Sequence, residues 1–277
     1  MRRGGGCAVT AGRRVELLRD LDRETGRVLL VDGVEQSYVD LDDPEHLEFE
    51  YMQHMALAVD CVLAPEKPVA ALHLGGGALS MPRWLAHRRP RSKQLVAESS
   101  AAVIAATSDL EPVPGCRVLE GDAMSVLAAQ RARSFDLVFW DLYDGPLAVV
   151  DALGSADLQS MHRVLRPGGV LLLNVSDVRP FVVVRPVLAA LREVADDLAV
   201  LAEPATLRGR RSGNCVLVAR REASLPIDLL TRRSAAAPVR ARVLAGDALT
   251  EFVGDARPPT PDEPLPRPDP LSGRAFL

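Results

Sequence analysis

The sequence lacks any cysteine pair of the CxxC kind: Cys7, Cys61, Cys116 and Cys215 lie far apart. That leaves no zinc-ribbon or disulfide framework and suits a reducing compartment, so a cytoplasmic location is expected. Among its five histidines there is no HxxxH or HExxH, and no metal is expected. No apolar run approaches the roughly 20 residues of a membrane span. The opening MRRGGGCAVTAG has two arginines but no apolar stretch behind them, so it does not read as a signal peptide, and residues 1–12 are expected to be a disordered tail. A net charge of −4 over 277 residues exerts no general pull toward nucleic acid or an anionic membrane. Arginines cluster only locally, at Arg88, Arg89 and Arg91 and again at Arg208, Arg210 and Arg211, and both groups read as solvated loops.

What is present is an ordinary soluble composition, 48% hydrophobic and 25% charged. Residues 13–64 read as a small antiparallel β region and a linking helix. Val15–Leu21, Arg27–Asp32 and Val34–Leu41 are short β-like runs, and Asp32-Gly33 is a strong hairpin signal. Asp43-Pro44 resembles a helix start, and Leu47, Tyr51, Met55, Ala58 and Val59 give the helix an apolar face. Residues 65–222 then alternate strand and helix, which implies a mostly parallel sheet covered on both faces, with an antiparallel edge strand. The strand candidates are Ala70–Leu74, Gln94–Glu98, Arg117–Leu119, Phe135–Asp141 and Gly169–Val175, and a long helix is expected over Val182–Leu198. Residues 223–277 form an extension whose end, Ala256–Pro270, holds seven prolines and reads as an extended tail.

The chain is organised around ALHL followed by Gly75-Gly76-Gly77: a buried strand, a glycine turn, then a helix. Glycines let the backbone approach a ligand closely, and the helix start offers free N–H groups. Ligands of such sheets bind beyond the carboxyl ends of the strands. The second strand ends in Glu98, an acid placed to accept ribose hydroxyls or simply a surface carboxylate. The third is followed by Gly121-Asp122-Ala123, where Asp122 can reach an adenine amino group or cap the next helix. The fourth ends in Trp140-Asp141-Leu-Tyr-Asp144-Gly-Pro146, with Asp141 at the crevice. His73, inside an apolar strand, reads as a core residue.

These residues resemble the polyamine aminopropyltransferases, the spermidine synthase family, on a Rossmann-like class I methyltransferase fold. The resemblance covers roughly Val28 to Arg220. Asp141-Leu-Tyr-Asp144 is similar to the family's D-S-S-D motif, and Gly75–Gly77 match three of the four positions of its G-G-G-D turn. The resemblance implies that Gly75, Gly76, Gly77, Glu98, Ser99, Asp122, Ala123 and Asp141 hold an adenosyl sulfonium donor. This would be decarboxylated S-adenosylmethionine, or S-adenosylmethionine itself. It implies that Asp141 is the base assisted by Tyr51, and that Gln36, Tyr51 and Asp144 bind the amine. It also implies a role in polyamine biosynthesis, a small-molecule amine as partner, and a homodimer.

The sequence departs from the family in three places. Ala78 stands where the family has an aspartate, and Ser100 replaces the second acid after Glu98. The basic stretch Thr206–Gly213 replaces a tyrosine–proline pair that closes the amine pocket. Gln53 also removes an expected Glu. The expected function is therefore aminopropyl transfer with an altered amine pocket. Methyl transfer from S-adenosylmethionine on the same fold is the alternative, and a non-catalytic nucleoside- or partner-binding homologue is the third reading.

Overall fold

The computed structural model describes residues 7–10, 13–144, 147–148, 153–260 and 262–266. Gly145, Pro146, the side chain of Asp144 and the end of the proline-rich tail from residue 267 lie outside them. A four-stranded antiparallel sheet comes first, in sequence order: β1 (Cys7–Thr10), β2 (Arg13–Arg19), β3 (Gly26–Val31) and β4 (Val34–Asp40). β1 falls within the stretch expected to be a tail. Asp32 and Gly33 both take positive φ, 53° and 82°, as a tight hairpin of this twist demands.

The helix expected from Asp43 begins instead at Glu50, as α1 (Glu50–Val62). Side chains of the preceding turn hold residues 42–49 out of it. Asp40 Oδ1 accepts the N–H of Asp42 and of Asp43, and Arg23 reaches both Asp40 (2.6 Å) and Asp43 (3.0 Å). The apolar face of α1 is buried as its periodicity predicts, with Tyr51, Met55, Ala58 and Val59 against the main sheet. Arg89 corrects the reading of its cluster as solvated. It is 1% exposed and donates to the carbonyls of Val59, Leu63 and Ala64, closing the C-terminus of α1. Arg88 and Arg91 are exposed.

The main unit follows the expected alternation. It runs β5 (Ala70–Leu74), α2 (Ser80–Arg88), β6 (Lys93–Glu98), α3 (Ala101–Thr107), β7 (Cys116–Glu120), α4 (Ala123–Ala128) and β8 (Phe135–Trp140). A two-stranded pair, β9 (Tyr143–Asp144) and β10 (Leu147–Ala148), precedes α5 (Ser155–Val164), β11 (Leu165–Asp177) and α6 (Val184–Leu191). The chain continues through β12 (Asp197–Ala202), α7 (Pro204–Leu207), β13 (Gly213–Arg220), α8 (Ile227–Ala236), β14 (Arg242–Ala245) and α9 (Gly246–Val253). The long helix expected over Val182–Leu198 is thus shorter. The Asp177 carboxylate accepts the N–H groups of Val183 and Val184 and fixes its start, and the apolar run from Leu198 belongs to a strand.

Eight strands form one sheet in the order β14-β12-β13-β11-β8-β5-β6-β7. β11, β8, β5, β6 and β7 are parallel neighbours, β13 runs antiparallel between β11 and β12, and β14 makes an antiparallel edge. The central strands are apolar throughout because both faces are covered. Leu72, Leu74, Val138, Trp140, Leu171 and Leu173 pack toward α4, α5, α6 and α9. Alternate residues Ala71, Leu137, Phe139, Val170 and Leu172 pack toward α1, α2 and α8. A smaller core joins the N-terminal sheet to α3. Among the described residues no helix is long and apolar enough to cross a membrane.

Candidate active site

β5, β6, β7, β8 and β11 end on one side of the sheet, and the N-terminal sheet and α1 stand over that side. Between them lies a cleft of about 1140 Å³. Gln36, Tyr51, Gly75, Gly76, Gly77, Glu98, Ser99, Asp122, Ala123 and Asp141 all line it, so the structure brings together every described site residue expected from sequence. The side chain of Asp144 lies outside the description. Ala78 does not line the cleft: it is buried in the small core with Val15, Val39 and Ala102.

The glycine turn is dictated by close packing. Gly75 has φ +99°, and a Cβ there would come within 2.3 Å of the Asp141 carbonyl oxygen. The N–H of Gly75 donates to Ala97 O, and that of Gly76 donates to Glu98 Oε2 at 3.0 Å. Glu98 Oε1 accepts from Ser100 N at 2.8 Å. Both oxygens are thereby fixed, and each keeps a lone pair that a hydroxyl can use. Ser100, in place of an acid, caps α3 by accepting from Val103 N at 3.2 Å. Asp122 Oδ2 accepts from Ser125 N at 2.7 Å, so Asp122 caps α4 while it also borders the cleft.

At the cleft floor the end of β8 is anchored by Asp141 N donating to Leu74 O at 2.9 Å. Its carboxylate accepts from Tyr51 OH at 2.8 Å through Oδ2 and from Asn174 Nδ2 at 2.9 Å through Oδ1. Burial pushes the Asp141 carboxyl up to about 6, although the bonds from Asn174 and Tyr51 act in the opposite direction. Burial and the neighbouring Asp141 raise the Tyr51 hydroxyl well above its ordinary range, which keeps it a donor. Tyr143, also raised by burial and by Asp141, hydrogen-bonds Ser176 at 2.8 Å, and Ser176 in turn bonds Asn214. His73 lies below, stacked on Phe139 with ring centroids 4.7 Å apart and bonded to Gln94 at 2.8 Å. Burial lowers it to about 4, so it stays neutral, in keeping with a core residue.

Asn174, Tyr143, Ser176 and Asn214 were not among the residues expected from sequence. Asn174 and Ser176 did carry a signal, as polar residues interrupting the apolar run of β11. Asn214 carried none, since it reaches the site only because β13 pairs back on β11 with Ser176 opposite Asn214. The basic stretch Thr206–Gly213 does not stand over the cleft. Arg208, Arg210 and Arg211 are exposed, none lines the cleft, and Arg211 pairs with Glu203 and, at 3.8 Å, with Glu50. The cleft's charged lining, among the described residues, is Glu35, Glu98, Asp122 and Asp141 with Arg13. No group of three or more His, Cys, Asp or Glu suited to a metal ion occurs among the described residues.

No family model matches the sequence, and neither does any curated protein. Solved structures do. A probable spermidine synthase from Corynebacterium glutamicum has a TM-score of 0.82 at 27% identity, with 93% of this chain and 96% of that one covered. A spermidine synthase in complex with the transition-state analogue AdoDATO has a TM-score of 0.56 at 18% identity, over 83% of this chain and 76% of that one. Human methyltransferase-like protein 13 in complex with SAH has a TM-score of 0.55 at 21% identity, over 77% and 96%. The chain is therefore similar to the spermidine synthases, on a Rossmann-like methyltransferase-type fold with a small N-terminal antiparallel sheet.

Proposed function

We propose that this protein is a transferase that moves an aminopropyl group from decarboxylated S-adenosylmethionine to an amine. The observation that carries this reading is Asp141, held at the cleft floor by Tyr51 and Asn174 with its carboxyl raised to about 6. A base for neutral pH needs a pKa near the working pH, and burial supplies that shift. The amine attacks through its lone pair. The new N–C bond forms as the C–S bond breaks, the electron pair leaves on sulfur as a thioether, and the surplus proton passes from nitrogen to Asp141. In this reading Glu98, fixed by two backbone N–H groups, receives the ribose hydroxyls, and the donor chain passes over Gly75–Gly77. Four carboxylates against one guanidinium suit a sulfonium that also bears an ammonium group.

Methyl transfer from S-adenosylmethionine is the second reading. What favours it is that Arg13, the one arginine among the described lining residues, borders the cleft, although a donor carboxylate would have to compete with Asp32, which Arg13 meets at 3.9 Å. The test is to supply each donor with a panel of small amines and weigh the product. An added aminopropyl group supports the proposal, and an added methyl group moves the assignment to the second reading.

A further inference from the structure

Three polar side chains of the cleft take no part in the transfer described above. Tyr143, Ser176 and Asn214 line it, and all three are only half-buried. Ser176 and Asn214 face each other across β11 and β13. The Ser176 hydroxyl donates to Asn214 Oδ1, and the Tyr143 hydroxyl lies 2.8 Å from Ser176 Oγ and 3.4 Å from the same Asn214 oxygen. Ser176 gives its proton to Asn214, so Tyr143 is the donor to Ser176, and burial keeps Tyr143 protonated. Both hydroxyl protons are thus directed inside the trio. With Oδ1 fixed as the acceptor, Asn214 Nδ2 points away from the hydroxyls. Its two N–H groups have no partner among the described residues, and Nδ2 is not sealed in the interior as a buried orphan would be. Ser176 stands two residues beyond Asn174 on β11, and Asn174 is bonded to Asp141. Side chains two apart on a strand share a face, about 6–7 Å from one another. A chain of four or five atoms covers that distance from Asp141 to the trio.

We propose that Asn214 Nδ2 receives the far, unreacting end of the acceptor, and that this end is an uncharged oxygen group such as a carboxamide, not a second ammonium. The inference rests on the transfer to an amine described above and concerns the part of the acceptor that does not react. An ammonium has only N–H groups to offer. Set against the N–H groups of Asn214, it would oppose donor to donor, and it would lose water with no charge on Tyr143, Ser176 or Asn214 to replace it. An oxygen accepts from Nδ2 directly. A carboxylate would match the N–H groups as well, but Glu35, Glu98, Asp122 and Asp141 line the same cleft and repel it. The uncharged oxygen is the group that satisfies both conditions.

The experiment sets 4-aminobutanamide against 1,4-diaminobutane, two amines of similar length, with wild type, Asn214→Ala and Asn214→Asp. Transfer from each sulfonium donor is measured, and so is calorimetric binding of each amine to protein saturated with 5′-methylthioadenosine. Wild type should favour the amide by about 10-fold or more, in kcat/KM and in affinity. Asn214→Ala should bring the two amines within about threefold of each other. Asn214→Asp keeps the shape but replaces the two donors with an acceptor, and it should reverse the order in favour of the diamine. If Asn214 only held β13 against β11, both amines would lose alike and the order would persist in both variants, and that result overturns the proposal. A wild-type preference for the diamine overturns it as well and returns the far end to Asp144. Product without any preference between the amines overturns the role of Asn214 and leaves the transfer standing. Preferential binding of the amide with no product from either donor overturns the transfer and leaves the role of Asn214 standing. Neither binding nor product overturns both.

Discussion

At the scale of single residues, Asp141 is where function and stability oppose each other. Its carboxyl lies near 6 in the folded chain against an ordinary value of 3.8, because burial disfavours the ion. A raised carboxyl contributes stability at low pH that is lost as the pH rises through the folded value. Above about pH 6 the ionised Asp141 is a net cost to the fold. Asp141→Asn removes that cost while keeping the shape. We expect its melting temperature at pH 8 to exceed that of wild type by about 2 °C or more, with the difference gone at pH 4. Turnover should fall about 10²–10⁴-fold, and the acidic limb expected near pH 6 in the wild-type profile should be absent from that of the variant. A variant that retained more than about a tenth of wild-type turnover would remove Asp141 as the base.

At the scale of elements, the glycine turn after β5 and the hairpin turn after β3 use positive φ for different ends. Gly75 has Asp141's backbone against it, whereas Gly33 has nothing within 4 Å of a would-be Cβ. Gly33→Ala should therefore cost only the conformational strain, about 1–2 kcal/mol, and leave ligand affinity intact. Gly75→Ala should displace the end of β8, lower the melting temperature further, and abolish measurable 5′-methylthioadenosine binding. Equal effects from both variants would contradict this account of the turn. The strand–glycine–helix unit and the apolar run before Asp141 were legible in the sequence because each is set by local pattern. The start of α1 was not, because the neighbouring Asp40 and, from 20 residues away, Arg23 hold Asp43 in a turn. Arg89 read as solvent-exposed because the carbonyls it meets, in the last turn of α1 and just beyond it, are at least 25 residues away in the sequence. Asn214 was invisible because its place depends on the register of β13 against β11.

At the scale of the whole molecule, the cleft exists because the N-terminal sheet and α1 cover the carboxyl ends of the parallel strands. The floor, with Asp141, comes from β8 and its neighbour β11. The wall bearing Gln36 comes from β4, and Tyr51 descends from α1 to meet Asp141. The chain is similar over 93% of its length to a probable spermidine synthase and over 77% of its length to a methyltransferase. The division of the cleft among these elements places the choice of donor in the charge of the assembled cleft rather than in any one strand. Glu35, Glu98, Asp122 and Asp141 against Arg13 form a lining that should disfavour a donor bearing its own carboxylate. The measurement that tests this most directly is calorimetric titration of the intact protein with decarboxylated S-adenosylmethionine and with S-adenosylmethionine, side by side at low salt. The account predicts tighter binding of the decarboxylated donor, with the margin shrinking as salt is added. Tighter binding of S-adenosylmethionine, or equal affinity for the two, would contradict it.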